Sequence, residues 1–534
     1  MKKNLSLFPF LCALLVSSFG FSQQTVGLLE WNAGVTDGYT LFTPENNSSV
    51  YLIDNCGEKV NEWTFTERPG LTCYLLENGN LLRSGKDSLE IRDWDNTLIW
   101  SYAMTANGLL QHHDIEPLPN GNILCILTDL YTQTESLAAG RNPALGSGNF
   151  KLDRLVEIQP TGTNGAIIVW EWKFFDHLVQ DFDNTKANFG TVADSSQLLD
   201  VNYNNLQLVD YTHANGIDYN AELDQIIISC KNTNELYIID HSTTSLLATG
   251  HTGGNSNRGG DFLWRWGNPQ VYQQGTGADQ TLFDQHDPKW VPSAFADSGK
   301  ISVFNNNGDG SATFSSIHLI IPEFVGNAYS MDPNKFLPLT YDWSWNGSIL
   351  GAVVFSNKKC GMQVLPSGNV LFCETPTGMI SEITKAGEHV WSYRNPAGSG
   401  SVIYDQYDII TTADNGIFRG ERYPSNYPGL AGEDLTPQGI IENQNVLSQS
   451  CILGTPEMDE SSGIFVVNPV TEDRLVFNQW VTLDHLEIRD IMGKLVFSKD
   501  SFNGSECTVK LEKGTYFLRV NFEGKILQQK LVAY

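Results

Sequence analysis

The chain has 534 residues, more than one ordinary hydrophobic core accommodates, so several domains or a repeat array are expected. It is 41% hydrophobic and 18% charged, a balance that is typical of globular proteins and excludes a largely disordered chain. Lysine and arginine total 33 against 61 for aspartate and glutamate, which gives a formal net charge of -28. Such a surface repels nucleic acids and anionic lipids, and no run of basic residues reverses this locally.

The first 22 residues are typical of a secretory signal peptide. Lys2 and Lys3 form a basic start, residues 5–16 are largely apolar, and residues 20–22 include small side chains before a cleavage site. No other stretch is long enough to span a bilayer. We therefore predict a mature protein that is soluble and does not insert into a membrane.

Eight cysteines remain after this segment, and their spacing matches no zinc motif. The sequence therefore predicts no metal site and no cofactor. Export permits disulfides, but Cys125, Cys230 and Cys373 lie in predicted strands. We interpret these three as buried free thiols, because a free cysteine packs like a small apolar residue.

One pattern of short alternating strands repeats between about residues 38 and 441. A small or polar residue leads a strand, and a tight Asn/Gly turn and a second strand follow. The clearest copies are CYLLENGNLLRS, HDIEPLPNGNILCIL and CGMQVLPSGNVLFCE, and looser copies start at His213 and His286. Most copies continue into another strand pair that ends in an aromatic residue, for example LEIRDWDNTLIWSY. A first copy begins near Tyr39, which makes six units of four strands.

Six such units predict an all-β fold with a six-bladed β-propeller over residues 23–441. The tryptophans after the outer hairpins are predicted to pack between blades; they are Trp63, Trp100, Trp172, Trp266 and Trp391. Three long insertions interrupt the pattern, at residues 140–150, 174–210 and 328–350. Propellers usually carry such insertions as loops on one face, so we expect all three on the same face.

The C-terminal part has a different character. Residues 442–463 are polar and aperiodic, and we interpret them as a linker. Residues 464–534 return to alternating strands with tight turns, which predicts a small C-terminal β-sandwich.

This tail resembles the C-terminal sorting domain of the type IX secretion system, over about the last 70 residues. The matching residues are Asn468–Pro469, the DIMGK turn at 490–494, and residues 514–516 and 530–532. The resemblance implies that the type IX secretion machinery is a partner and that the tail is removed during export. It also implies a secreted or cell-surface protein, exported through the periplasm of a Gram-negative bacterium. A carbohydrate-binding β-sandwich is the alternative interpretation of these strands.

Three histidines occupy equivalent places in neighbouring repeats. His113 leads the first strand of its unit at the same distance from the turn glycine as Cys360 in another unit, and His213 and His286 head the two units between. Because first strands line the central channel of a propeller, we expect these three imidazoles to converge at one mouth. The alternative is that each histidine merely caps its strand through a neighbouring Asp or Asn.

The chemistry of such a cluster has two interpretations. Three imidazoles can bind a metal, but Asp114 and Asp287 directly follow their histidines and should alternate to the other strand face. Imidazoles together with Asn215 and Lys231 suit a tetrahedral oxyanion better. Lys231 ends a second strand near His213, and a solvated strand-end lysine is the alternative.

The motifs HHDIEPLPNGNIL, HANGIDYNAELDQIIISCKN and QHDPKW resemble the three histidine motifs of bacterial arylsulfate sulfotransferases, which are six-bladed propellers. The resemblance implies that His286 is the catalytic nucleophile. It also implies that His113 (with His112 as the register alternative), His213 and Asn215 hold the sulfuryl group. The implied reaction is a ping-pong transfer from an aryl sulfate donor to a phenolic acceptor through a sulfohistidine, without PAPS.

This chain departs from the family pattern at three places. Lys231 stands where the family has arginine, which keeps the charge but loses the bidentate fork that grips a sulfate. The family segment Phe-Asp-Asn-Gly is matched by residues 304–308, FNNNG. A late threonine of the family is assigned to Thr375, with Thr377 as the alternative.

Two further hypotheses concern function. Phe174, Phe175 and Trp290 lie in predicted mouth loops, where they are candidates to stack on the aryl ring, although ordinary loop packing is the favoured interpretation. The main alternative to the enzyme is a non-catalytic secreted propeller that binds a glycan, a peptide or an anionic ligand at the channel mouth. A metal-dependent hydrolase is a third possibility.

Overall fold

A computed structural model describes residues 24–145, 149–203, 209–410, 413–451, 464–467, 470, 474–490, 494–522 and 525–533. The predicted signal peptide lies outside these residues. Within them, no helix combines the length and apolar character that crossing a membrane requires.

The described residues form six antiparallel four-stranded sheets arranged as blades, whose innermost strands contact one another around a central axis. Blade one contains, from the inside outwards, Ile417–Tyr423, Tyr39–Pro44, Ser49–Ile53 and Lys59–Thr64. Blade two contains Pro69–Leu75, Leu81–Gly85, Ser88–Arg92 and Leu98–Ala103, and blade three contains Gln111–Pro117, Ile123–Tyr131, Phe150–Thr161 and Gly165–Lys173.

The second half of the ring follows the same plan. Blade four contains Ala214–Asn220, Gln225–Cys230, Glu235–Asp240 and Trp264–Trp266, and blade five contains His286–Trp290, Ile301–Asn305, Ser316–Ile320 and Trp343–Trp345. Blade six contains Gly361–Val364, Val370–Glu374, Met379–Ile383 and His389–Arg394. The hydrophobic core is therefore divided into clusters, most of which lie between adjacent blades.

Both ends of the propeller chain help to close the ring. Ile417–Tyr423, from the C-terminal end, is the innermost strand of blade one and pairs with Tyr39–Pro44. Gly27–Trp31, from the N-terminal end, pairs with His389–Arg394 as a fifth strand outside blade six. The predicted six blades are thus confirmed, with a closure that interlocks the first and last blades.

Indole N–H groups connect successive blades. Each predicted tryptophan donates a hydrogen bond to a backbone carbonyl of the next blade: Trp63 to Asp93, Trp100 to Gly165, Trp172 to Gly260, Trp266 to Pro338 and Trp391 to Asn55. Trp343 of blade five does the same at Lys385 and completes the set. The prediction that these side chains pack between blades is confirmed.

The long insertions do not all lie on one face. The described residues between the second and third strands of blade three (132–145 and 149) and between blades three and four (174–203 and 209–213) lie at the end where the innermost strands begin. Residues 321–342 connect the third and fourth strands of blade five, which places them at the opposite end. The expectation of a single face was therefore wrong for the insertion predicted at 328–350.

Helical and minor elements are few among the described residues. The α-helices are Gln133–Ala138, Ser245–Ala248 and Val446–Cys451. The 3₁₀ turns are Thr105–Asn107, Pro143–Leu145, Phe174–His177, Val192–Asp194, Pro269–Tyr272, Gly277–Asp279, Thr375–Thr377, Ala413–Asn415 and Pro428–Leu430. Short strand pairs are Leu178–Val179 with Leu199–Asp200, Phe324–Val325 with Ala328–Tyr329, and Ser348–Ile349 with Ala352–Val353.

The start of the predicted linker packs on the propeller. The Asn445 side chain donates a hydrogen bond to Leu28 O at 3.0 Å, and a disulfide joins Cys451 to Cys56 in blade one. Residues 452–463 lie outside the described residues. The predicted thiols Cys125, Cys230 and Cys373 are buried and free, which confirms that interpretation.

The C-terminal tail is a separate all-β unit. Its strands are Arg474–Asp490, Leu495–Thr508, Gly514–Phe522 and Lys525–Ala533, which form one antiparallel sheet with a core of its own. The predicted all-β class and the six-bladed propeller are therefore confirmed, whereas the described tail residues form a single four-stranded sheet. Asn468–Pro469 and the centre of the DIMGK turn lie outside the described residues.

Candidate functional site

The innermost strands of blades three, four and five each contain a β-bulge near the end where they begin. The register with the second strand shifts beside His113, between Ala214 and Gly216, and between His286 and Lys289. A bulge re-aims side chains and interrupts pairing, and bulges are common beside active sites. The bulges therefore mark the same mouth of the channel in three adjacent blades.

Backbone conformation at this mouth is unusual. His113 and His213 have φ values of 59° and 50°, in the left-handed region that non-glycine residues seldom adopt. Each such residue costs about 1–3 kcal/mol and persists only where its surroundings enforce it. The strain at two of the three predicted histidines distinguishes this mouth from an ordinary set of strand starts.

The structure brings the predicted histidines together. His113 Nε2 lies 3.1 Å from His213 Nε2, and the His113 and His286 rings are perpendicular with centroids 6.5 Å apart. His112, the register alternative, also belongs to the cluster, with its ring centroid 4.2 Å from that of His113 and 4.8 Å from that of His213. Four imidazoles therefore share one mouth.

His286 is held in one tautomer. Its Nδ1 atom lies 2.8 Å from Asn306 Oδ1 and 2.9 Å from Asp284 O, so Nδ1 carries the proton. The orientation of the Asn306 amide is fixed because its Nδ2 donates to the carbonyls of Ser356 and Lys359 at 2.8 and 2.9 Å. The lone pair of His286 is consequently on Nε2, where it accepts the Lys359 backbone N–H at 3.2 Å.

The environment of His286 keeps its imidazole neutral. Burial, and then the nearby positive charges of His213 and Lys231, lower the pKa of His286 to about 3, although the hydrogen bonds from Nδ1 act in the opposite direction. Its ring is therefore an uncharged base with an available nitrogen lone pair at neutral pH. This is the protonation state that a histidine nucleophile requires.

Two carboxylates support the other imidazoles. His213 Nδ1 lies 2.8 Å from Asp210 Oδ2, and His112 Nδ1 lies 3.2 Å from Asp153 Oδ1. Burial raises the pKa of Asp210, but its hydrogen bond to His213 and the nearby positive charges outweigh this, so the pKa is lowered and the carboxylate stays ionised. With the proton of His213 on Nδ1, its Nε2 accepts from His113 Nε2–H.

His113 is left with one nitrogen lone pair inside the site. Its buried Nδ1 atom has no hydrogen-bond partner among the described residues. Burial, followed by the charges of His112, His213 and His286, holds the pKa of His113 well below its usual value. Phe418, on the closing strand, stacks on its ring with centroids 6.2 Å apart.

The remaining predicted residues lie around this cluster in different roles. Asn215 is fully buried and donates from Nδ2 to Gln285 O at 2.8 Å, which fixes the backbone just before His286. Lys231 Nζ lies 3.7 Å from Asp284 Oδ1 and is thus partly neutralised. The Thr375 hydroxyl accepts the Cys360 N–H at 3.0 Å rather than contacting a histidine.

Arg419 is a central residue that sequence reasoning missed. Its Nη2 lies 3.0 Å from Asp114 Oδ2 and 2.9 Å from Asp287 Oδ1, so it ties together the residues that directly follow His113 and His286. The two aspartates point away from the imidazoles, as strand alternation predicted. Strand alternation predicted where the two aspartates point but not their partner, because Arg419 lies on the closing strand and is distant from both histidines in the sequence.

The aromatic residues considered for the mouth serve packing, which was the favoured interpretation. Phe174 is fully buried against Trp172, and Phe175 stacks on Tyr131 with centroids 4.0 Å apart. Trp290 lies at the opposite end of the strand that starts at His286.

A metal ion is chemically compatible with part of the cluster. Ligand atoms of His112, His113 and His213 lie within 4.8 Å of one another. Two of these rings already have a carboxylate on Nδ1, the arrangement by which proteins orient metal-binding imidazoles. The same arrangement equally stabilises imidazolium cations facing an anionic substrate.

Comparison with known proteins bears on this choice. The family model described as Arylsulfotransferase (ASST) matches residues 32–390. A search of curated proteins gave no match.

Similar solved structures include a protein of unknown function from Bacteroides caccae (12% identity, 69% of this chain, 98% of that chain, TM-score 0.37). Another is the Cps50 (Swd1) β-propeller domain from Myceliophteria thermophila (8% identity, 70% of this chain, 92% of that chain, TM-score 0.35). A third is virginiamycin B lyase from Staphylococcus aureus (10% identity, 71% of this chain, 92% of that chain, TM-score 0.31).

Proposed function

Because this chain belongs to the arylsulfotransferase (ASST) family, we propose that it transfers a sulfuryl group from an aryl sulfate to a phenol with His286 as the nucleophile. The observation that carries the proposal is the fixed tautomer of His286. Its Nδ1–H is held by Asn306 and Asp284, and its uncharged Nε2 faces the cluster. A neutral imidazole attacks without help from a strong base.

In the first half-reaction, Nε2 of His286 attacks sulfur opposite the aryl oxygen. The N–S bond forms while the S–O(aryl) bond breaks, and the phenolate leaves with the bonding electron pair. Phenols are acidic enough to depart without a strong acid. The product is a sulfohistidine that keeps its proton on Nδ1, which continues to donate hydrogen bonds to Asn306 Oδ1 and to the Asp284 carbonyl. The Lys359 N–H, which contacts Nε2 at 3.2 Å in the free site, becomes available to a sulfuryl oxygen.

In the second half-reaction, an acceptor phenol attacks the same sulfur. Its proton passes to His213, because Asp210 lies on the Nδ1 side of that ring and stabilises the imidazolium. The S–N bond then breaks and its electron pair returns to His286. The low pKa of His286 also makes its imidazole a good leaving group in this step. The two half-reactions predict ping-pong kinetics without PAPS or another cofactor.

Charge around the sulfuryl group supports the same chemistry. The transferring group carries negative charge on its outer oxygens, so fixed donors and cations accelerate transfer. His113 lies beside His213, Lys231 adds positive charge near His286, and His112 extends the cluster. Asn215 acts indirectly, because its side chain donates a hydrogen bond to the carbonyl of Gln285, the residue before the nucleophile.

A non-catalytic propeller that binds an anionic ligand is the second candidate. The observation that favours it is the pairing of both nearby lysines with carboxylates. Lys231 contacts Asp284, and Lys359 contacts Glu45, so neither ammonium is fully free to grip a sulfate. Such a protein would bind an aryl sulfate without turning it over.

Replacement of the nucleophile separates these candidates. With 4-nitrophenyl sulfate as donor and phenol as acceptor, the full-length protein should release nitrophenol, and His286→Ala should lower kcat at least ~10³-fold. The control His389→Ala removes a histidine from the outermost strand of blade six and should keep the rate. Unchanged turnover in His286→Ala would overturn the assignment of the nucleophile.

Two other outcomes would favour the alternative functions. Binding of the aryl sulfate without turnover by the wild type would favour the non-catalytic candidate. Loss of turnover on chelation would favour a metal-dependent hydrolase.

We also propose that the protein is exported and reaches the cell surface or the medium, with the type IX secretion machinery as a partner. The support is the signal-like segment 1–22, the sorting-like tail at 464–534, and the disulfide between Cys56 and Cys451. Disulfides persist in oxidising compartments outside the cytosol.

A further inference from the structure

A second cluster of metal-ligating side chains lies at the outer edge of the propeller. His177 ends the 3₁₀ turn after the outermost strand of blade three, and His251 and Asp261 belong to the segment that precedes the outermost strand of blade four. One ligand atom of each lies within 4.8 Å of the others. We propose that these three residues bind a divalent transition-metal ion such as Zn²⁺.

The hydrogen bonds of His177 carry this proposal. His177 is fully buried, and its Nε2 lies 2.8 Å from the backbone carbonyl of Ala248, which can only accept. Nε2 therefore carries a proton, and in the neutral ring the lone pair is on Nδ1. That lone pair lies 2.9 Å from a carboxylate oxygen of Asp261, where two electron-rich atoms face each other.

A proton or a metal ion between these two atoms resolves the contact. One solution is a second proton, which makes His177 an imidazolium. The other is a metal ion that accepts electron pairs from His177 Nδ1 and from Asp261 Oδ1. Metal-binding histidines characteristically donate their other N–H to a backbone carbonyl, as His177 does to Ala248. His251 Nδ1 lies 2.7 Å from the same Asp261 oxygen and supplies a third ligand atom.

The ligand set indicates the class of metal. Two imidazole nitrogens and one carboxylate oxygen suit Zn²⁺, Co²⁺ or Ni²⁺ and do not suit Mg²⁺ or Ca²⁺, which prefer oxygen. Bonds of about 2.0–2.2 Å require the ligand atoms to separate slightly from their present contacts. The side chain of His251 is 60% exposed, so it can move, and water can complete the coordination.

The position of the cluster suggests a structural ion. It would join the segment 241–263 of blade four to the turn Phe174–His177, where the connection that ends at His213 begins. Trp172 stacks on His177 and donates to the carbonyl of Gly260, so the cluster lies directly over an interblade contact. Bound metal would therefore stabilise the junction of blades three and four.

Metal binding to the full-length protein tests the proposal. After dialysis against a chelator, titration with Zn²⁺ by calorimetry should show a site that His251→Ala weakens at least tenfold. Co²⁺ should produce a visible absorption band that the same variant loses. His112→Ala is the matched control, because it removes a ligand from the channel-mouth group only; it should leave this site and its band intact. Zn²⁺ should also raise the thermal midpoint of the wild type more than that of His251→Ala.

Two results would overturn it. Either the wild type binds no Zn²⁺ or Co²⁺, or His251→Ala binds both as the wild type does. In both cases a proton, rather than a metal, holds His177 against Asp261. These readouts are independent of sulfuryl transfer, so they stand or fall separately from the proposed enzyme.

Discussion

The Nδ1 atom of His286 faces two oxygen acceptors, whereas its Nε2 atom faces a backbone N–H. This arrangement fixes which nitrogen can attack, and burial keeps the ring neutral. A low pKa weakens a nucleophile but improves the same group as a leaving group. Both effects matter in the proposed double displacement, in which His286 first gains and then loses the sulfuryl group. Under that proposal, the environment of this residue favours turnover over accumulation of the sulfohistidine.

The acid limb of the pH profile should respond to Asn306. With the pKa of His286 at about 3, its protonation should not reduce kcat/KM between pH 7 and pH 5 in the wild type. Asn306→Asp places a carboxylate on Nδ1–H, which stabilises the imidazolium and should raise that pKa by about 1–3 units. The acid limb should then move to higher pH. Asn306→Ala, which removes the acceptor without adding charge, should lower kcat but leave the limb in place. Superimposable profiles for Asn306→Asp and the wild type would contradict the assigned tautomer.

Residue-level prediction worked where spacing was informative. The distance from the turn glycine placed His113 in register, and strand alternation placed Asp114 and Asp287 on the other face. The partners of the imidazoles had no such signal. Asp210 lies in the connection between blades three and four, where no repeat spacing applies, and Asn306 was one of three consecutive asparagines. Which of the three contacts His286 depends on how the strand pair ends, and local pattern does not determine that.

At the scale of the strand, the innermost strand of blade one comes from the C-terminal end of the propeller and connects blade one to other blades. Arg419, on Ile417–Tyr423, reaches Asp114 of blade three and Asp287 of blade five. Each aspartate also accepts a backbone N–H from the next blade, Asp114 from Ile217 at 3.1 Å and Asp287 from Met362 at 3.0 Å. One guanidinium thus organises the inner strands beneath the candidate site.

Removal of this guanidinium should be costly. Arg419→Met leaves Asp114 and Asp287 buried without their cation, and breaking a buried ion pair in this way lowers the free energy of unfolding by about 3–5 kcal/mol. Arg68→Met, the same change at an exposed position, should cost below about 1 kcal/mol. Denaturant titration of both variants measures the difference. Equal stability of the two variants would mean that the network does not support the fold.

The same variant has a predictable pH dependence. Burial already raises the pKa of Asp287 to about 6, while Arg419 opposes that shift. Without Arg419 the pKa in the folded state should rise further above its unfolded value. A carboxyl with a raised pKa destabilises the fold when it is ionised, so the deficit of Arg419→Met should be largest above this pKa. It should shrink as the pH falls below it.

At the level of strands and blades, the sequence pattern predicted the repeat but not the strand that closes the ring. Alternating strands and turn residues identified six units, and tryptophans at their outer edges identified the interblade contacts. The strand Ile417–Tyr423 joins blade one only because the ring closes, and its partner Tyr39–Pro44 is far away in the sequence. The packing favoured for the aromatic residues near the mouth likewise depends on a neighbouring blade. Burial of Phe174 depends on Tyr237 and Phe262 of the next blade.

At the scale of the whole molecule, an acidic protein is proposed to handle an anionic donor. The formal net charge of -28 repels an aryl sulfate at long range. Local charge must therefore compensate, and Lys231 and Lys359 are the cations near the neutral imidazoles of His286 and His113. The pairing of these lysines with Asp284 and Glu45 limits the excess positive charge at the mouth.

The ring is also closed covalently. The disulfide between Cys56, in blade one, and Cys451, after the propeller, spans 395 residues of chain. A cross-link over so long a loop removes much conformational freedom from the unfolded chain, and disulfides typically contribute about 2–4 kcal/mol. Cys451→Ser should therefore lower the thermal midpoint of the oxidised protein. Reductant provides the matched control: it should lower the midpoint of the wild type to that of the variant and leave the variant unchanged. Equal midpoints under oxidising conditions would show that the hydrogen-bonded closure by Gly27–Trp31 and Ile417–Tyr423 suffices by itself.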